Sequence, residues 1–235
     1  MPALRKSTLR GSLTALAAAM AVAAPLAVAA PSSAAPGATS TDACTGVARC
    51  QALPSADVDG DGRADSVGVV VTREADGGRT AAVRVATAAG RLAATPVAVS
   101  EHQDYGVWHG AAALDGVPGA ELSLLTEVLG DTGSYTVLTW RRGRLGVLAS
   151  PYGRVWAIDV APYVNSGWQR AGRDGTTYVV GRLATARQDG RHDLRTSTYR
   201  WSGSGWERSA YAKTRVSEER AWSVAGWRVK GLPAF

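Results

Sequence analysis

Short apolar runs rich in β-branched residues recur along the chain and are separated by turns rich in glycine. The run Val-Gly-Val-Val-Val-Thr at 67–72 and the runs at 122–128 and 178–180 are three examples. Runs of this length and composition predict β-strands. No apolar face with the period of a helix follows residue 35, and the glycines stand at turn spacing. The pattern therefore predicts an all-β protein with about 12 strands, the last of them at 221–229.

Two parts of this pattern repeat along the chain. Val-Asp-Gly-Asp-Gly-Arg-Ala-Asp at 58–65 is echoed by Leu-Asp-Gly-Val-Pro-Gly-Ala-Glu at 114–121, and an apolar run follows each copy. A second pattern, in which a glycine turn joins two strands, occurs three times. It predicts hairpin turns near Gly90, Gly143, Gly203 and Gly205.

The repeats divide the chain into about three units of three or four short strands each, at 57–100, 108–150 and 168–210. Such a unit has the strand content of one propeller blade, but closed propellers usually have four to eight blades. The open alternatives are a partial β-propeller, a compact stack of sheets, and a sandwich of duplicated hairpins.

The first copy of the repeated turn is rich in carboxylates, which fall at positions one, three, five and nine of a nine-residue stretch: Asp57, Asp59, Asp61 and Asp65. Like charges this close together repel each other unless a cation lies among them. Calcium suits such a stretch because it accepts a flexible cage of six to eight oxygen ligands. The alternative is a solvated acidic turn that binds no metal.

An EF-hand loop would need a Glu at position twelve, where this chain has Gly68. The nine residues instead resemble the D-x-D-x-D-G-x-x-D calcium loop of FG-GAP (integrin-type) and VCBS repeats, and they match that pattern throughout. The resemblance implies a structural calcium ion rather than a catalytic one. It assigns side-chain oxygens of four residues and one backbone carbonyl as ligands: Asp57, Asp59, Asp61, Asp65 and the carbonyl of Arg63.

The ligand pattern is lost in the second copy of the loop. Ala113 and Val117 stand where the first copy has aspartates, and only Asp115 and Glu121 remain. Two carboxylates are too few for a calcium cage. The sequence therefore predicts one metal site rather than a series of them.

The N-terminal residues resemble an export signal. Arg5, Lys6 and Arg10 precede an apolar, alanine-rich run at 13–30, and small residues suited to cleavage follow. We therefore predict a signal peptide at 1–35, a flexible leader at 36–52 and a single all-β repeat domain at 53–235. The mature protein is expected to be secreted, without stable insertion in a membrane.

The two cysteines, Cys44 and Cys50, lie just ahead of the acidic loop. In an exported protein such a pair predicts a disulfide. A zinc site would need further ligands, and no histidine lies nearby in the sequence.

The net charge of +6 falls to +3 when the three basic residues of the signal are removed. The remaining arginines are scattered and do not form a run that would follow a phosphate backbone. We therefore do not expect nucleic-acid binding.

All eight tryptophans lie between Trp108 and Trp227, which suggests either a platform for sugar rings or packing between sheets. Trp140 and Trp201 occupy matching strand positions, which favours packing for those two. The tryptophans that are freer to serve as a platform are Trp168, Trp206, Trp222 and Trp227.

No G-x-S-x-G, H-E-x-x-H or P-loop sequence occurs, and the spacing of the histidines and acids selects no catalytic set. The candidates considered are His102, His109, His192, Glu101, Asp104 and Glu127. The sequence therefore favours a secreted, calcium-binding, non-catalytic domain that binds an extracellular protein or glycan. The alternative is a secreted hydrolase that acts on a glycan or cell-wall polymer through a cleft between repeats.

Overall fold

The computed structural model describes residues 42–75, 77–101, 103 and 105–234. The predicted signal peptide at 1–35 and the first part of the predicted leader lie outside the described residues. In the described part, the chain forms fourteen strands and one helix of five residues, so the prediction of an all-β fold is confirmed. Among these residues no helix is both long and apolar enough to cross a bilayer.

The first four strands form a separate antiparallel sheet in which each strand pairs with the next along the chain. Its strands are β1 (Gln51–Ala56), β2 (Asp65–Arg73), β3 (Arg79–Ala86) and β4 (Leu92–Val99). This sheet corresponds to the first predicted unit, at 57–100. It begins at Gln51, so the domain boundary predicted at residue 53 falls inside β1.

The other strands form one ten-stranded sheet, which follows the order β13-β12-β11-β10-β9-β7-β6-β5. Strand β8 pairs with β7, and β14 pairs in parallel with β10. The first five strands are β5 (Trp108–Ala112), β6 (Glu121–Leu129), β7 (Thr132–Arg141), β8 (Arg144–Val147) and β9 (Trp156–Ala161). They are followed by β10 (Val164–Arg173), β11 (Thr176–Ala186), β12 (His192–Trp201), β13 (Trp206–Val216) and β14 (Gly226–Arg228).

The second and third predicted units are therefore merged in one sheet instead of forming separate blades. Strand β9 joins them, because it pairs with β7 on one side and with β10 on the other. The strands do not close into a propeller ring.

The predicted hairpin turns are confirmed. Gly90 lies in the turn between β3 and β4, Gly143 between β7 and β8, and Gly203 between β12 and β13, and all three have positive φ. The strand predicted at 221–229 is wrong in its first part. There Ser217 caps helix α1 (Glu218–Trp222), and only Gly226–Arg228 forms a strand.

Two large apolar clusters form the core. The first lies between the four-stranded sheet and β6 and β7, and its fully covered side chains include Val83, Leu122 and Leu138. The second cluster is aromatic and centres on Trp156, which is fully buried and packs on Trp168 with ring centroids 4.8 Å apart.

The two repeated turns pack directly against each other. The first loop (57–65) and the second loop (113–121) are joined by a hydrogen bond of 2.7 Å from the Ala120 N–H to the Asp57 carbonyl. A Cβ at Gly60 would lie 2.6 Å from the Pro118 carbonyl carbon, and one at Gly119 would lie 2.5 Å from the Val58 carbonyl oxygen. Only glycine permits this approach, so the contact fixes the four-stranded sheet against the second sheet.

The disulfide between Cys44 and Cys50 is present, as predicted. Both sulfurs lie over β2, where a Cβ at Gly68 would be within 2.9 Å of each of them. Ala43 is fully buried, and its N–H donates to the Ser66 hydroxyl over 3.0 Å. Residues 42–50, which the sequence assigned to a flexible leader, are therefore packed on the sheet.

Gly60→Ala should destabilise the protein more than Gly62→Ala. The two glycines have nearly equal φ values, +80° and +84°, so both substitutions incur a left-handed backbone cost of about 1–2 kcal/mol. Only Gly60 faces Pro118, whereas Gly62 has no atom within reach of a Cβ. The clash should add roughly 1–3 kcal/mol. Urea unfolding in the presence of a chelator measures both, and equal losses would show that the loop contact is not tight.

Candidate metal centre

Asp57 shapes the first loop through both of its carboxylate oxygens. Oδ1 accepts from the Gly60 N–H over 2.8 Å, and Oδ2 accepts from the Gly62 N–H over 3.0 Å. Both glycines have positive φ, which turns their N–H groups inward toward this carboxylate. The first ligand candidate is therefore held in place by the backbone of its own loop.

Asp59 and Asp61 continue the same arrangement. The Asp61 N–H donates to Asp59 Oδ1 over 3.2 Å, and the Arg63 N–H donates to Asp61 Oδ1 over 2.8 Å. One carboxylate oxygen from each of Asp57, Asp59 and Asp61 lies within 4.8 Å of the other two. Three hard oxygen donors at this separation fit the shell of a hard divalent cation.

Asp65, the fourth predicted side-chain ligand, is not brought into this group. It is fully buried, and its Oδ2 accepts from the N–H groups of Val58 and Asp59 over 2.7 and 3.1 Å. Its Oδ1 accepts from the Ala88 N–H over 2.8 Å. Asp65 therefore ties the loop to the β3–β4 turn, since these orphan donors need an acceptor once they are buried.

Arg63, predicted to offer its backbone carbonyl, directs its side chain at the acidic group. Its guanidinium donates to Asp61 Oδ2 over 2.6 Å from Nη2 and 3.0 Å from Nε. This ion pair lies at the surface, where such pairs contribute little stability. The pair nevertheless occupies one oxygen that a metal ion would otherwise use.

The charges of the loop are unevenly balanced. Partial burial raises the pKa of Asp59, and the negative charges of Asp65, Asp61 and Asp57 raise it further. The pKa of Asp61 is lowered instead, chiefly by the hydrogen bond from the Arg63 side chain. The neighbouring carboxylates thus disfavour the negative charge of Asp59, and a bound cation would offset this repulsion.

The second loop has the same backbone scaffold. Glu121 Oε2 accepts from the Leu114 N–H over 2.7 Å, as Asp65 Oδ2 accepts from the Val58 N–H at the equivalent position. Asp115 Oδ1 accepts from the Val117 N–H over 2.9 Å, as Asp59 accepts from Asp61. The sequence similarity of the two loops therefore corresponds to a shared hydrogen-bond pattern.

An arginine supplies the positive charge in the second loop. The guanidinium of Arg141, at the end of β7, bonds to Asp115 and lies 3.5 Å from Glu121 Oε1. Both carboxylate side chains are buried. No motif in the sequence marks Arg141 for this role. The sequence gives only an indirect indication of it. The second loop retains Asp115 and Glu121 but too few ligands to bind a metal ion, so another residue of the fold must neutralise them.

The ionised form of Glu121 remains unfavourable even with Arg141 beside it. Burial raises the pKa of Glu121 to about 7, and the charge of Asp115 raises it too. The Leu114 N–H, the Thr139 hydroxyl and Arg141 act in the opposite direction but do not offset the burial. One guanidinium thus serves two buried acidic side chains, and Glu121 loses its proton at a higher pH than an exposed Glu does.

The other predicted candidates are spread over the fold. The His109 ring packs at an angle against Tyr135, with centroids 4.6 Å apart, and burial lowers the pKa of His109 to about 4. His192 is buried in β12, and Glu127 is exposed on β6, where it lines a groove with Arg154. His102 and Asp104 lie outside the described residues.

The tryptophans mostly pack in the core. Of the four tryptophans considered for a platform, Trp168 and Trp227 are buried and Trp222 is 39% exposed. Trp206 donates from its indole N–H to the Ala149 carbonyl over 2.8 Å. The structure therefore uses Trp168 and Trp227 for packing rather than as a surface platform.

Glu121→Gln should flatten the pH dependence of stability between about pH 5 and pH 7. Because the folded-state pKa of about 7 exceeds the ordinary value of 4.5, the folded state binds more protons in this window. The free energy of unfolding therefore falls as pH rises, by up to about 3 kcal/mol for this carboxyl. Urea unfolding at pH 5 and pH 8 measures it.

The matched control is Glu127→Gln, which removes an exposed carboxylate from the same strand. It should leave the pH dependence of the wild type in place. If Glu121→Gln and wild type lose equal stability between pH 5 and pH 8, Glu121 is not the titrating group.

Comparison of the chain with protein-family models, with curated proteins and with solved structures gives no match. The geometry of the two loops is therefore the main guide to function.

Proposed function

We propose that the chain is a secreted calcium-binding β-domain with a non-catalytic binding or structural role outside the cell, in which calcium acts as a structural staple. The observation that carries the proposal is the convergence of one oxygen each from Asp57, Asp59 and Asp61 within 4.8 Å. This convergence occurs in the loop that holds the two sheets together.

Calcium is the ion that this donor set favours. All three side chains are carboxylates, and the loop is open to solvent at Asp61, so water can complete the shell. Calcium accepts a variable number of oxygens, whereas magnesium demands a near-ideal octahedron. Asp57, Asp59 and Asp61 would hold the ion, with the Arg63 carbonyl as the further ligand implied by the resemblance to FG-GAP and VCBS loops.

The staple role follows from what the loop contacts. The Asp57 carbonyl accepts the bond from Ala120, and the neighbouring Val58 is buried in the core between the sheets. Repulsion among the carboxylates would loosen this segment in the absence of a cation, and the loosening would reach the contact between the two sheets. An ion that neutralises the carboxylates therefore stabilises the packing of one sheet on the other.

Two further features support an extracellular site of action. The disulfide of Cys44 and Cys50 is typical of oxidising compartments. The N-terminal sequence has the basic and apolar segments of an export signal. Calcium is abundant outside cells, so a site with a dissociation constant of about 10⁻⁴ M would be filled there.

Calcium should raise the melting temperature of the wild type, and a chelator should reverse the change. Binding to the folded state alone adds about 2.7 kcal/mol at a hundredfold excess over Kd. Asp59→Ala should abolish most of this response because it removes the central carboxylate. Differential scanning calorimetry across a calcium series measures it.

Asp115→Ala is the matched control, because it removes the equivalent aspartate of the second loop. It should lower the baseline melting temperature, since it leaves Arg141 without its Asp115 partner, while the shift caused by calcium persists. An identical calcium response in wild type, Asp59→Ala and Asp115→Ala would exclude the first loop as the site.

Arg63→Gln should preserve or strengthen calcium binding. The substitution frees Asp61 Oδ2 from the guanidinium and keeps the backbone carbonyl of residue 63. We expect the calcium dissociation constant to fall severalfold, measured by isothermal titration calorimetry. Loss of binding in this variant would mean that the Arg63 side chain supports the site rather than competing for it.

A further inference from the structure

The C-terminal part of the chain is strongly basic. Residues 182–230 contain eleven Lys or Arg and five Asp or Glu, a net charge of +6. Residues 42–181 contain twelve Lys or Arg and fifteen Asp or Glu, a net charge of −3. The positive charge of the domain is therefore concentrated in the segment that runs from the second half of β11 through β12, β13 and α1 to β14.

Strand β13 forms the edge of the ten-stranded sheet and is exposed along nearly its whole length. Near its C-terminal end, one face of this sheet is covered by α1, through a small cluster that includes Leu194, Ala221 and Val224. The other face is covered by Tyr152 at Tyr199 but is open at Arg195 of β12, which is exposed. The hairpin is thus anchored from one side, and on the other side it is open around Arg195 and along β13.

The register places the exposed cations together on the open face. Residues directly opposite each other in an antiparallel pair share a face, and Arg195 lies opposite Lys213 while Asp193 lies opposite Arg215. Beyond a bulge, Tyr199 lies opposite Arg208, whose guanidinium stands 5.6 Å from the centre of the Tyr211 ring. We name this surface the basic face, defined by Arg195, Arg208, Tyr211, Lys213 and Arg215.

A second exposed tyrosine lies beside the basic face. Tyr152 is 58% exposed and packs edge-on against Tyr199, with ring centroids 5.6 Å apart. Its hydroxyl reaches over β11 at Gly181, where a Cβ would lie only 2.9 Å away. A cleft of about 390 Å³ opens between Tyr152 and Leu183, and Leu183 lies opposite Arg195 in the sheet.

Two of the four cations of the basic face, Lys213 and Arg215, lie beside carboxylates, and the other two do not. Asp193 accepts from Lys213 and from Arg187, both over 3.2 Å, and Arg215 lies 3.7 Å from Asp189. In the described part of the chain, neither Arg195 nor Arg208 has a carboxylate within ion-pair distance. The basic face therefore has positive charge available for a partner.

We propose that the basic face binds an anionic polysaccharide, with its cations contacting sulfate, phosphate or carboxylate groups and its tyrosines contacting sugar rings. This inference rests on the non-catalytic binding role proposed above and gives that role a class of partner. Charge complementarity along an extended edge strand favours a polymer, because same-face residues repeat about every 7 Å. Cations without aromatic neighbours would suit any polyanion, but Tyr152 and Tyr211 offer flat apolar surfaces that pack against sugar rings.

The test is binding of the secreted, calcium-loaded protein to fluorescent dextran sulfate and to unsulfated dextran of equal length, by fluorescence polarisation. We expect dextran sulfate to bind, with affinity falling as salt rises, and dextran not to bind. Arg195→Gln with Lys213→Gln should weaken binding at least tenfold. The matched double variant, Arg142→Gln with Arg144→Gln, removes one exposed charge from the β7–β8 turn and one from the start of β8, and it should change binding less than twofold.

Tyr211→Ala separates a glycan site from a general polyanion site. It should weaken binding of dextran sulfate at least threefold and leave binding of inorganic polyphosphate within twofold. Equal losses for the two polymers, or tighter binding of polyphosphate or single-stranded DNA than of dextran sulfate, would overturn the polysaccharide assignment. Equal effects of the two double variants would overturn the basic face itself.

The melting temperature of the same samples with and without calcium distinguishes polysaccharide binding by the basic face from the structural role proposed for calcium. Dextran sulfate binding without a calcium-dependent rise in melting temperature would disprove the staple and support the basic face. A calcium-dependent rise without dextran sulfate binding would support the staple and disprove the basic face. The melting temperature of each variant is compared with that of the wild type to show that the variant folds. If Arg195→Gln with Lys213→Gln fails to fold, Arg208→Gln with Arg215→Gln takes its place.

Discussion

The close contact of two glycine loops determines how this domain is assembled. The first and second loops meet at Gly60 and Gly119, where the backbones approach too closely for any side chain. The contact involves few residues, but it joins the four-stranded sheet to the ten-stranded sheet. Val58, next to the contact, belongs to the apolar core that the two sheets share. The second loop makes another close contact of the same kind with β11, because a Cβ at Gly116 would lie 2.8 Å from Thr177.

The two loops solve the same electrostatic problem in different ways. Each turn gathers carboxylates because these side chains accept bonds from the N–H groups of a tightly curved backbone. The negative charge that accumulates then needs a cation. In the second loop Arg141 provides it from within the chain, at the cost of burying two carboxylates with one guanidinium. In the first loop the carboxylates remain more exposed, and calcium from outside is the cation that we propose.

Local features of this fold could be predicted from sequence, and long-range ones could not. The strand content, the glycine turns and the disulfide follow from short patterns, because a turn or a β-branched run is specified by neighbouring residues. The merging of two units through β9 depends on pairing between distant strands, which no local pattern encodes. Asp65 and Arg141 show the same limit within the site. Asp65 stands at a predicted ligand position, but its carboxylate accepts hydrogen bonds from backbone N–H groups instead. Arg141, which supplies the cation of the second loop, lies on a different strand.

The distribution of charge gives the two ends of the domain different physical roles. The acidic loops lie where sheets meet, so their carboxylates act on internal packing and need a cation held close to them. The basic strands lie at the free edge of the sheet, where charge is not needed for packing and where exposed cations also discourage pairing with another strand. A cation bound at the acidic loops would strengthen the frame without neutralising the edge, because the two regions lie in different parts of the fold. Stability and recognition can therefore be set independently in one small domain, the first by the loops and the second by β12 and β13.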